Sequence, residues 1–147
     1  MCIGWVIAMT RGVKVCNNDQ WTQARLNQFI MGSLRSAHTK WGPANKSKGL
    51  ARTRRGFYRC ACCREEVPST IPAVYKTGKK AGKAYRKKNA VIDHIIPVID
   101  PAVGFVSWDE VCERMYVEVE AYQILCDACH SKKSGEENAI RAERRRK

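Results

Sequence analysis

The sequence of 147 residues predicts a small α+β fold: an N-terminal helix with a basic arm, then a compact unit stapled by a metal. Three observations predict it. Cys-x-x-Cys steps occur at Cys60/Cys63 and at Cys126/Cys129. Between them the run VIDHIIPVID at 91–100 offers the β-branched residues of a buried strand. The charge is also divided unevenly: residues 1–92 carry 19 Lys/Arg against 3 Asp/Glu, whereas 93–147 carry 8 against 11.

This length supports one domain with a modest core, and an apolar content of 44% excludes wholesale disorder. We divide the chain into a helix and basic extension over 1–56 and a compact unit over 57–147. A formal charge of +13, concentrated in the front half, points to a polyanionic partner, nucleic acid before membrane. The opening MCIGWVIAM is too short to span a bilayer and lacks a basic leader, and Met9 is as good a start as Met1. A cytoplasmic location follows, where eight cysteines read as metal ligands or free thiols rather than disulfides.

Asn18 or Asp19 can cap a helix from about Gln20. Trp21, Leu26, Phe29, Ile30, Leu34 and Ala37 recur on one face of it, as in an amphipathic helix packed on a core. Gly42-Pro43 then breaks the pattern, and KWGPANKSKGLARTRRGFYR reads as a basic loop, or as helical only in its second half. KTGKKAGKAYRKK at 76–88 holds seven positive charges and two glycines, the composition of a solvated loop along a phosphate backbone. Arg52, Arg54, Arg55, Lys79, Lys80, Lys83, Lys87 and Lys88 are the candidate contacts.

AVIDH reads as a strand, and Ser107 with Glu110 forms a capping box for a helix to about Tyr116. YQIL is a second short strand. A helix should run from Asp127, with a break allowed at Gly135 and arginines favourable to its C-terminal dipole. Trp5, Trp21, Trp41 and Trp108 read as packing residues, with base stacking an option for Trp41. His38 reads as a surface residue.

Two thiol pairs with this spacing each grip one edge of a tetrahedral Zn²⁺, so Cys60, Cys63, Cys126 and Cys129 are the expected structural zinc ligands. The second pair opens the last helix, as in a treble-clef finger. Cys62 competes with Cys60 or Cys63, but a two-residue gap gives the better bite. Cys2, Cys16 and Cys112 read as free or buried thiols.

Asp93 and His94 are costly to bury in their apolar run without a partner. The order C-x-x-C, D-H-I-x-P, L-C-x-x-C-H-x-x-K resembles the HNH endonuclease family across residues 57–135, and KWGPANKSKGLARTRRGFYRC resembles its small phage-encoded members. The resemblance implies a ββα-metal fold and a metal-dependent DNA endonuclease or nickase hydrolysing phosphodiester bonds. It implies that Asp93 and His130 hold a divalent ion (Mg²⁺, Mn²⁺, Ni²⁺ or Co²⁺), that His94 is the general base, and that zinc makes these residues converge. Lys132 or Lys133 would contact a flanking phosphate of double-stranded DNA. The protein would act as a monomer or weak dimer, in a host cell's cytoplasm if phage-encoded.

One position departs from the family pattern. Ala121 stands where members usually carry the Asn that orients the base, so His94 must be held by a backbone carbonyl or by another side chain such as Gln123. That departure keeps a second reading open, a zinc-stabilised nucleic-acid-binding module without catalysis. An RNA-directed protein is a weaker third.

Overall fold

The computed structural model describes residues 12–147. Cys2, Trp5 and the apolar opening lie outside the described residues. The chain divides into two compact units between Ala37 and His38.

In the first unit, β1 (Lys14–Cys16) pairs antiparallel with β2 (Trp21–Thr22), and α1 (Gln23–His38) follows at once, its last residue, His38, belonging to the second unit. Asn17, Asn18 and Asp19 do not cap this helix. All three are left-handed, with φ between 50° and 59°, and they form the β1–β2 turn, a conformation Asn and Asp tolerate well. The cap is Thr22, whose Oγ1 accepts from Arg25 N at 3.2 Å. In the apolar stripe Trp21 meets Phe29 edge-on at 5.5 Å, Arg25 lies over Trp21, and no α1 residue is buried.

The second unit begins with α2 (Gly42–Leu50), a helix where the composition reads as a basic loop. Pro43 opens it rather than breaking it, because the first turn needs no proline N–H and favours its fixed φ. Ala44 and Ser47, one turn apart, are its buried face. The second half of that stretch, for which a helix is one option, instead supplies β3 (Arg52–Arg54) and β4 (Phe57–Arg59), which with β5 (Glu66–Pro68) form a three-stranded antiparallel sheet. Gly56 turns its first hairpin at φ 79°.

The basic segment 76–88 is only partly a loop. Its second half is β7 (Ala84–Lys88), paired in five-residue register with β6 (Thr70–Val74). Tyr75 stacks on Tyr85 with centroids 4.4 Å apart, the cross-strand contact that steadies a ribbon so rich in charge.

β8 (Ala90–His94) and β9 (Tyr122–Cys126) form the central antiparallel pair, as AVIDH and YQIL suggest. Between them comes α3 (Trp108–Met115), capped as expected by Ser107, whose Oγ accepts from Glu110 N at 3.2 Å. α4 (Asp127–Arg144) runs unbroken through Gly135. No helix among the described residues is long and apolar enough to cross a membrane.

The core is thin. It gathers Ile124, Leu125 and Tyr122 of β9, Val111 and Met115 of α3, Ala44, Ala90, Cys60 and Cys126. Two of these are the expected zinc thiols, so burial alone gives this unit modest support and a staple adds much.

Candidate metal centre and the residues around Asp93

Cys60 directly follows β4. Its N–H donates to the Glu65 carbonyl at 2.9 Å and its carbonyl accepts from Arg64 N at 3.0 Å, closing a turn that returns Cys63 to the same side. Cys126 ends β9 and caps α4, its Sγ accepting from Cys129 N at 3.5 Å. Ala61 N donates to the Ile124 carbonyl at 2.8 Å and Cys126 N to Cys60 Sγ at 3.3 Å, joining the two halves. All four sulfurs lie within 4.8 Å of one another. A tetrahedral zinc site spaces its sulfurs by about 3.8 Å, given Zn–S bonds of about 2.3 Å. This cluster can hold a metal ion such as zinc. Cys62 is exposed and outside it, while Cys16 and Cys112 are free thiols.

The thiols respond unequally to this crowding. Burial pushes Cys60 up, but N–H donors from Cys126, Cys63 and Cys62 outweigh it and bring the thiol down to about 6. Cys129 is pushed up, first by the neighbouring Cys126 thiol. Four thiolates cannot form so close together without a cation between them, and a divalent ion removes that conflict.

The β8–β9 register sorts the polar pair onto two faces. Asp93 stands opposite Gln123 and His94 opposite Tyr122. On the first face, Gln123 Nε2 donates to Asp93 Oδ2 at 2.8 Å. From α4, His130 Nε2 lies 4.0 Å from Asp93 Oδ1, and Lys133 Nζ lies 2.5 Å from Oδ2. Lys133 also donates to the His94 carbonyl.

On the second face, His94 Nε2 meets the Met115 carbonyl at 2.9 Å. A carbonyl only accepts, so Nε2 carries the proton and Nδ1 of the neutral ring keeps its lone pair. Tyr122 Oη donates to the same carbonyl at 2.8 Å and therefore accepts from His38 Nε2 at 2.9 Å. The His38 and His94 rings are 5.1 Å apart, and burial, then the neighbouring His94, lowers the affinity of His38 for a proton. His38 is thus part of a network, not the surface residue its sequence context suggests. His94 takes its orientation from a backbone carbonyl, one of the two options left by Ala121. Gln123 serves Asp93 instead. Trp41 is a packing residue, its Nε1 donating to the Val117 carbonyl at 2.8 Å and its ring edge-on to Tyr116.

The basic residues differ in availability. Arg52, Arg55, Lys79, Lys80, Lys83, Lys88 and Lys132 are exposed. Arg54 pairs with Glu66 at 3.2 Å and lies over Phe57, and Lys87 pairs with Asp127 at 2.7 Å. Lys133 is turned inward to Asp93, so of the two α4 lysines only Lys132 faces outward. Asn89, absent from the sequence reading, is buried and bridges the Pro68 carbonyl to Asp127 N, fixing the start of α4. Nothing in its local sequence signals that role, because both partners are distant in the chain. No family model, curated protein or solved structure matches this chain.

Proposed function

We propose that this protein is a metal-dependent DNA endonuclease of the HNH type that nicks one strand at a time. The observation that carries the reading is the meeting of Asp93 and His130 at 4.0 Å, with the next residue of β8, His94, held by a hydrogen bond that leaves Nδ1 as a proton acceptor. A hard carboxylate and an imidazole are a fitting donor pair for Mg²⁺, Mn²⁺ or Ni²⁺. The order β8–β9 followed at once by α4 supports a ββα-metal arrangement.

In this reading Asp93 and His130 hold the divalent ion, with Gln123 steadying the carboxylate. The ion, when bound, polarises the scissile phosphate and stabilises the leaving oxygen. His94 Nδ1 takes the proton of the attacking water, since its hydrogen bond through Nε2 leaves that nitrogen as the acceptor. The four cysteines, holding zinc, would tie the β4 turn to the start of α4 and so fix His130 relative to β8. The exposed lysines of 76–83, with Arg52 and Arg55, bind phosphates without reading bases.

A zinc-stabilised nucleic-acid-binding module without catalysis is the second reading. Two observations favour it: Ala121 has no side-chain amide to offer His94, and Lys133 already occupies Asp93.

Relaxation of supercoiled plasmid by the zinc-loaded protein tests both. Nicked circles with added Mg²⁺ or Mn²⁺, absent without added ion and absent in His94→Ala, are the expected result. Plasmid that is shifted on a gel but never nicked would leave the binding module.

A further inference from the structure

Asp93 is flanked by more positive charge than a simple metal ligand requires. Its side chain is 15% exposed and that of Lys133 24%. The Lys133 ammonium has three donors and three acceptors around it: Asp93 Oδ2 at 2.5 Å, the His94 carbonyl, and Glu137 Oε1 at 3.7 Å. His130 and Lys133 are three residues apart on α4, so they approach Asp93 from the same face of the helix. A half-buried carboxylate is costly without a cation beside it. An ammonium and a divalent ion on one carboxylate would repel each other at short range.

We infer that Lys133 is the resident counter-cation of Asp93, and that a divalent ion reaches Asp93 only by displacing this ammonium toward Glu137. The inference rests on the reading of Asp93 as an ion ligand. Glu137 is the fitting destination. It lies one helical turn beyond Lys133, is already within 3.7 Å, and is held in place by Arg141 at 3.2 Å. Lys133 thereby balances the Asp93 charge when no divalent ion is bound and opposes the ion's entry. The ion pair at Asp93 is thus a competitor for the metal rather than an obstacle to having one.

The test is Mn²⁺ binding to the zinc-loaded full chain, followed by the paramagnetic resonance of free Mn²⁺, with no cleavage required. Lys133→Met should bind Mn²⁺ about tenfold or more tighter than wild type, within the usual range for coupled sites. Adding Asp93→Asn to that variant should abolish the gain. Circular dichroism and zinc content check folding, and Lys133→Gln serves if the Met variant does not fold. Equal or weaker Mn²⁺ affinity in a folded Lys133 variant, with binding still lost in Asp93→Asn, overturns this inference and leaves the nuclease reading standing. Mn²⁺ binding that is indifferent to Asp93→Asn in every background overturns both.

Discussion

Gln123 and Asp93 face each other across β8 and β9, and Gln123 Nε2 donates to Asp93 Oδ2 at 2.8 Å. The register alone creates this pair, since a one-residue slip would put Gln123 on the opposite face. An outer partner of this kind fixes the orientation of a ligating carboxylate. Gln123→Ala is expected to weaken divalent-ion binding about 10- to 100-fold, with zinc content unchanged. Calorimetric titration of Mn²⁺ into both proteins measures this, and matching affinities would remove Gln123 from the site.

His94→Ala is expected to lower plasmid nicking by a factor of about 100 to 10,000, the usual contribution of a general base. Zinc content and DNA affinity should hold, because His94 contacts neither the cysteine cluster nor the basic segments. Wild-type nicking in this variant would show that another group takes the proton.

Cys126→Ser removes a sulfur of the cluster that can hold a metal ion, and with it the cap of α4. The thin core makes the loss severe, since a structural zinc contributes on the order of 10 kcal/mol to folding. The expected result is an unfolded second unit by circular dichroism and no zinc by atomic absorption. An unchanged melting temperature would count against the four-cysteine staple. Cys62→Ser should change neither property.

The lowered proton affinity of His38 makes stability depend on pH. Burial first, and then His94, favours the neutral ring in the folded chain, whereas the unfolded ring titrates near its ordinary 6.5. Below that value the unfolded state binds more protons, so stability falls as pH drops, and it levels off once the folded ring is also protonated. Melting temperatures between about pH 7.5 and 5.5 should fall in wild type and flatten in His38→Gln. Parallel curves would remove His38 as the source.

Lys79, Lys80 and Lys83 lie at the tip of the β6–β7 ribbon and are exposed, the Lys80 ammonium lying 5.8 Å over the Tyr75 ring. Replacing all three by Ala should reduce the slope of log K against log salt by about 0.9 per lost phosphate contact, or about 2.7 in total. Fluorescence anisotropy of a labelled duplex over a salt series reads this, and an unaltered slope would place the DNA elsewhere.

The sequence by itself determined the thiol pairs, the central strands, and the capped helix after Ser107. Each is written in local spacing: a two-residue gap between thiols, β-branched residues in a run, a hydroxyl three residues before a carboxylate. It also placed Asp93, His94 and His130 as the polar residues worth watching. Local composition misled at residues 42–50 and 84–88, where many charges read as loop. There Ala44 and Ser47 found a buried face, and Tyr85 found Tyr75, neither of which a charge count registers. Only the tertiary structure decided which partner each polar group took. The Met115 carbonyl holds His94, Gln123 and Lys133 hold Asp93, and His38 joins Tyr122. These pairs are 21 to 84 residues apart. Hydrogen bonds and ion pairs of that separation depend on strand register and helix docking, which no local pattern encodes.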